Sequence, residues 1–290
     1  MKPPAIVVGT AGVDSGDQAV AWAAREACLR RLPLRIMHVL EWNTGEAREA
    51  DGSTYVERVW SSSAALTSAA IRHARHIAPG VDVAADTLIG HPAERLLELG
   101  RDASLLVLGY RGGGGFAGLR LGSVGQRVAT HAPCPVAVVR GAPRTDGPII
   151  AGVDDSPAAD QVLEAAFAAA AVRATALIVI RSYAPAMQLW VASVRPADVA
   201  TPEQDAAARA VVEELLAPWR GKFPQVPTEI RVIHDAIAPA LAGASAEAQL
   251  VVVGSHDRGP IRGALLGSTG LHLLRHAECP VLVARGGAGS

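Results

Sequence analysis

Two copies of one pattern fill this sequence, and that repeat restricts the fold more than any other feature. Ile6-Val7-Val8-Gly9 is echoed by Ile149-Ile150-Ala151-Gly152, and Asp17-Gln18 by Asp160-Gln161, both at an offset of 143. Farther on the offset is 145. Leu105-Leu106-Val107-Leu108-Gly109 is answered by Leu250-Val251-Val252-Val253-Gly254, and Leu121-Gly122-Ser123 by Leu266-Gly267-Ser268. His131-Ala132-Pro133-Cys134-Pro135-Val136 is answered by His276-Ala277-Glu278-Cys279-Pro280-Val281. A unit of this length is too long for a solenoid repeat, so the pattern implies two similar domains, residues 1–142 and 147–290. The join falls in the Gly/Pro-rich stretch from Gly141 to Pro148.

Within each half, short apolar runs alternate with longer amphipathic ones. In the first half strands are expected at 5–9, 34–40, 81–88, 105–109 and 136–140. Helices are expected at 17–31, 56–77, 92–100 and 122–131, with an irregular polar stretch at 42–55. In the second half the strands are 149–153, 176–181, 228–233, 249–254 and 281–285, and the helices 157–172, 203–220, 236–247 and 267–277. Strands this apolar, joined by helical crossovers, predict an α/β fold: two doubly wound, five-stranded parallel sheets in tandem. Ligands of such sheets sit beyond the carboxyl ends of the strands.

Composition narrows the function classes. The 290 residues carry a net charge of −1, which suggests neither a nucleic-acid surface nor a membrane surface. No apolar run reaches the roughly 18 residues of a membrane helix. Met1-Lys2-Pro3-Pro4 leads directly into a strand without the pattern of an export signal, so no export is expected. Cys28, Cys134 and Cys279 are too few and too scattered for a disulfide framework or a metal site, which fits a cytoplasmic protein.

The stretch most informative about chemistry runs from Leu105 to Val124. A buried strand ends at Gly109, four glycines follow at Gly112–Gly115, and Gly122-Ser123-Val124 opens a helix. Unpaired N–H groups and the helix dipole at such an N-terminus attract anions, and glycines let the backbone approach them closely. A phosphate site is the expectation.

Gly109-x2-Gly112-x9-Gly122-Ser123, the acidic Asp154 behind a first strand, His38-Val39, Gly90-His91-Pro92-Ala93 and Cys134-Pro135-Val136 resemble the corresponding residues of the universal stress protein family. The resemblance covers nearly the whole chain twice, as in tandem members of the actinobacterial type. It implies strand order 3-2-1-4-5, as in adenine nucleotide alpha hydrolase-like folds, and ATP at the strand ends. It also implies dimers that pair through the fifth strands, either between chains or internally through Val136–Arg140 and Val281–Arg285. The ATP-contacting residues it implies in the first half are Gly9, Thr10, Ala11, Val39, Gly109, Gly112, Gly122, Ser123 and Val124. In the second half they are Gly152, Val153, Asp154, Ser182, Gly254, Gly267, Ser268 and Thr269.

The halves depart from that pattern differently. Ala11 stands where the second half has Asp154, removing a charge-assisted hydrogen bond of about 1.5–3 kcal/mol, or roughly 10- to 150-fold in affinity. Asp14 either substitutes for it or, with Ser15, caps the next helix. In the second half Asp257 replaces the second glycine. A carboxylate about 4 Å from a phosphate costs on the order of 4 kcal/mol at an effective dielectric of 20, which Mg²⁺ or Arg258 would offset. The first half is therefore expected to hold phosphate better.

Other residues carry weaker signals. Arg72, His73, Arg75 and His76 read as a solvated helix face. His38 and His91 are either structural or ligand-facing, and Cys134 and Cys279 are packing residues. Trp42, Trp60 and Trp190 pack either between domains or chains or over loops. No nucleophile elbow, HExxH or Ser/His/Asp arrangement occurs, so no catalytic residue is expected and at most slow incidental ATP hydrolysis. The expected function is an ATP-binding stress-response regulator with an unknown protein partner. The alternatives are a scaffold that has lost the nucleotide and a slow ATP-cleaving enzyme.

Overall fold

The computed structural model describes residues 4–12, 14–41, 52–111, 122–141, 144–183, 201–255 and 266–286. Residues Met1–Arg140 and Gly141–Arg285 form separate compact units.

In the first unit, β1 (Ala5–Thr10) leads to α1 (Asp14–Arg30), β2 (Leu34–Leu40), α2 (Gly52–Ile77), β3 (Val83–Ile89), α3 (Pro92–Leu99), β4 (Ala103–Gly109), α4 (Ser123–His131) and β5 (Val136–Val139). The strands are parallel in the order β3-β2-β1-β4-β5. β1, β4 and β5 are apolar because helices cover both of their faces; Ile6, Val8, Leu106, Val107 and Val136 are fully buried. The edge strand β3 is half-buried and carries Asp86 and Thr87. α1 packs on β1 and β4 and against α2, while α3 packs against α4. Alanine lets α1 lie close to the sheet: Ala19, Ala23, Ala24 and Ala27 are all fully buried. Glu26 is buried beside them and accepts a 2.6 Å bond from Arg30 Nε.

The second unit repeats the plan with β6 (Ile149–Val153), α5 (Ala158–Arg173), β7 (Leu177–Ser182), α6 (Pro202–Lys222), β8 (Thr228–Ile233), α7 (Ile237–Ala244), β9 (Leu250–Gly254), α8 (Ser268–His276) and β10 (Val281–Ala284). Its order, β10-β9-β6-β7-β8, is the same 3-2-1-4-5 arrangement. Phe167 of α5 is fully buried and stacks on Trp219 and Phe223 of α6 and the segment after it, with ring centroids 6.5 and 5.8 Å away. Burying a side chain of that size stabilises by about 1.5–3 kcal/mol.

The core strands lie within a residue or two of their expected positions, and four helix and strand ends differ, three of them for identifiable reasons. α1 begins at Asp14 rather than 17. Thr10 Oγ1 accepts the Gly12 N–H at 3.2 Å, and Gly12 turns the chain at a φ of +69°. Gly16 then sits so close that a Cβ would lie 2.7 Å from Thr10 Oγ1. α2 begins at Gly52, inside the stretch expected to be irregular. β3 begins at Val83 rather than 81, because the turn after α2 holds Val81 N–H on Ala78 O. The helix expected at 236–247 is α7 followed by a 3₁₀ turn, Ser245–Glu247. There the buried Ser245 hydroxyl donates to Ala242 O and accepts the Glu278 N–H at 2.8 Å.

Cys134 and Cys279 are buried as expected, and Cys28 is exposed. Trp60 is largely exposed, whereas Trp42 and Trp190 lie outside the described residues. Arg72, Arg75 and His76 are exposed and His73 is half-buried.

Candidate functional site

The first unit has a cleft of about 340 Å³ at the carboxyl ends of its strands. Its floor is the end of β1, from Gly9 to Ala11, where a Cβ on Gly9 would come within 2.8 Å of Leu108 and 3.2 Å of Leu96. One wall is the end of β2, with Met37, Val39 and Glu41. The other is the end of β4 with Gly109 and Arg111, together with the first turn of α4 from Gly122 to Gly125. Because β1 lies between β2 and β4, these walls face each other across the switch point of the sheet.

The cleft has two chemically different ends. At the α4 end, the N-cap Gly122 makes no side-chain cap bond. Its own N–H donates to Tyr110 O at 3.0 Å, so the first-turn N–H groups left to meet an anion are those of Ser123, Val124 and Gly125. Arg111 adds a positive charge there, with its guanidinium 5.7 Å from the Tyr110 ring centroid. At the β2 end, Glu41 brings a carboxylate, and His91 Nδ1 lies 3.2 Å from its Oε1. Met37 and Val39 supply the apolar surface between.

Eight of the nine residues expected in the first half, Gly9, Thr10, Ala11, Val39, Gly109, Gly122, Ser123 and Val124, line this cleft. Gly112 lies outside the described residues. Two of the eight are limited in what they offer, since the Gly122 N–H and the Thr10 hydroxyl already have partners within the fold. Sequence reasoning missed Met37, Glu41, Leu96, Arg111 and Gly125. Gly125 had a signal: Gly-x2-Gly occurs at 122–125 and again at 267–270. Of the two histidines, His38 points away and donates from Nδ1 to Thr10 O at 3.0 Å, a structural role, while His91 reaches the cleft mouth only through Glu41. The helix-capping role offered for Asp14 and Ser15 concerns side chains outside the described ones.

The cleft of the second unit is smaller, about 270 Å³. Gly152, Val153, Asp154, Ser182, Gly254 and Thr269 line it, while Gly267 and Ser268 do not. α8 leaves Gly267 without a side-chain cap bond, but only Thr269 and Gly270 of its first turn reach the cleft. Gly270 is tightly fitted: a Cβ there would lie 2.4 Å from Leu266 Cδ1. Asp154 Oδ1 is engaged by its own loop, accepting both the N–H and the hydroxyl of Ser156. Asp155 turns away to Arg181, whose Nη2 lies 2.7 and 2.8 Å from its two oxygens. Asp257, expected to disfavour a phosphate, and Arg258, expected to offset that cost, lie outside the described residues. Among the described residues no group of three or more His, Cys, Asp or Glu side chains is placed to hold a metal.

The family model of the universal stress protein family matches residues 4–140 and again 147–285. The chain belongs to the universal stress protein family. A universal stress protein of Mycobacterium tuberculosis is 32% identical over 300 residues, covering 98% of each chain. One from Mycolicibacterium smegmatis is 32% identical over 298 residues, covering 97% of this chain and 96% of its own. Among solved structures, a universal stress protein from Archaeoglobus fulgidus shares the fold with a TM-score of 0.74 at 16% identity, over 98% of this chain and 99% of that one. Among the described residues no helix is long and apolar enough to cross a membrane.

Proposed function

We propose that this universal stress protein binds ATP in the cleft of its first unit and acts as a nucleotide-responsive regulator. The observation that carries the reading is the polarity of that cleft. Three amides of an uncapped helix start and Arg111 gather at one end, and apolar surface with a carboxylate lies at the other. A nucleotide has the matching asymmetry, with an anionic tail and an apolar, donor-bearing nucleoside. Each favourable helix-terminus contact with an anion contributes about 0.3–1 kcal/mol, and a charge-assisted bond from Arg111 about 1.5–3 kcal/mol. At about 340 Å³ the cleft also falls in the size range of small-molecule sites, which starts near 300 Å³.

Occupancy would stabilise the strand ends that line the cleft and so bias association through the fifth strands or with a protein partner. Mg²⁺ bound to the nucleotide is compatible with this reading. Turnover is not part of the proposal: Ser123, at the phosphate end, has no general base hydrogen-bonded to it among the described residues. Equilibrium binding of radiolabelled ATP to the purified chain tests the proposal. Saturable binding of one equivalent that Arg111→Ala weakens supports it, and no binding at millimolar ATP overturns it.

A second reading applies to the other unit alone. Its cleft is under that size range and its acid is engaged by Ser156, which favours a scaffold role there.

A further inference from the structure

α8 ends in a pair of histidines that the nucleotide reading does not use. His272 and His276 are one helical turn apart, and their imidazoles stack with centroids 4.4 Å apart and planes inclined by 25°. They lie on the side of the helix opposite its buried residues, Gly270, Leu273 and Leu274, with His276 exposed and His272 half-buried. The sequence of α8 contains no acidic residue, Arg275 is an exposed neighbour on that outer side, and the exposed Glu278 follows just past the helix.

We infer that this pair is a two-histidine chelate for a borderline divalent transition ion of the copper, nickel or zinc class. Histidines at i and i+4 share one helix face, the spacing by which helices present two imidazoles to one metal. Imidazole suits these ions, and copper heads the affinity order. Two nitrogens bound at about 2.0–2.1 Å to one ion stand roughly 3 Å apart, so stacked rings need only a small tilt to converge. The site is also at the negative end of the helix dipole, which favours a cation and partly offsets Arg275.

The equivalent helix of the first unit shows what each imidazole can do and why the site is confined to the second. There His131, the counterpart of His276, donates from Nδ1 to the carbonyl of Arg127 at 2.9 Å. Such a bond fixes a ring and directs its Nε2 outward, the arrangement metal-ligating histidines generally adopt. But the counterpart of His272 is Arg127, which is directed to Glu94 at 3.5 Å, so the first unit has one imidazole where the second has two. Water completes the coordination sphere. A bound ion clips the last turn of α8, whose first turn lines the second cleft.

Cu²⁺ titration of the full chain in the absence of nucleotide, followed by calorimetry and electron paramagnetic resonance, tests this. The expected result is one ion per chain with coupling to two imidazole nitrogens. His272→Gln and His276→Gln should each weaken it by at least about 10-fold, with unchanged circular dichroism. The competing pair His73 and His76 on α2 is tested by His73→Gln, which should leave binding intact. Binding that survives His272→Gln, or that is lost in His73→Gln, overturns the proposal, as does the absence of any saturable copper binding. ATP binding is measured separately and does not enter either outcome.

Discussion

The clefts of the two units are built from the same strand ends and helix start, and they differ in where their charged groups are directed. In the first, Ala11 leaves the end of β1 without an acid, and Glu41 supplies a carboxylate from β2 instead. In the second, Asp154 is present but its Oδ1 is held by Ser156, and Gly267 and Ser268 do not line the cleft. A matching residue type therefore does not make a matching site. The position equivalent to Ser156 is Val13, so the first unit lacks the hydroxyl that engages the acid in the second. The two units share one frame and differ in how their polar groups are distributed.

The substitution expected to move this contrast most is Ala11→Asp. It adds a carboxylate in a segment that has Val13 where the second unit has Ser156, and it should raise ATP affinity by roughly 10- to 150-fold, the value of a charge-assisted bond of about 1.5–3 kcal/mol. Isothermal titration calorimetry reads it directly, and an unchanged affinity would show that the nucleoside does not approach the end of β1. Next in size is Arg111→Ala, expected to weaken ATP by about 10-fold or more, while Asp154→Ala changes it less than about 2-fold. The reverse order would move the nucleotide to the second unit. Gly16→Ala forces a methyl onto the Thr10 hydroxyl and should lower the stability of the first unit by about 1–3 kcal/mol in urea titration. The equivalent position, Ala159, already carries that methyl in the second.

The smallest expected effect concerns the start of α6, where Thr201 and Gln204 form a reciprocal cap. Thr201→Ala should cost about 1 kcal/mol. It should also relax Glu203, whose carboxyl is held below its ordinary value by the backbone N–H at the helix start and by the Thr201 hydroxyl. A carboxyl lowered on folding adds stability above its unfolded value, and that stability fades as pH falls through the folded one. The variant should therefore lose less on acidification, and carbon-detected NMR titration of Glu203 should show its midpoint moving up.

The sheet was legible because its central strands are nearly pure runs of Ile, Val and Leu, which can only be buried on both faces. The half-polar β3 was placed less sharply, and α2 started inside a stretch whose polarity argued for a loop. The glycine pattern led to a cleft at the carboxyl ends of the first sheet, since Gly9, Gly109 and Gly122 all line it. It could not disclose Glu41 or Arg111, whose place depends on three strand ends that are far apart in the chain. Nor could it show that the Gly122 amide is turned to Tyr110 O, or that Asp154 is turned to Ser156. Those are local competitions between hydrogen-bond acceptors, and they are decided by tertiary geometry rather than by residue type.

The bond from Gly122 to Tyr110 O has one more consequence, for how this chain can vary. It pinches the two ends of the intervening segment together at a 3.0 Å contact, like a drawstring, before any ligand arrives. The end of β4 and the start of α4 are thereby coupled, so a substitution that displaces the Tyr110 carbonyl also displaces the amides of Ser123, Val124 and Gly125 that face the cleft.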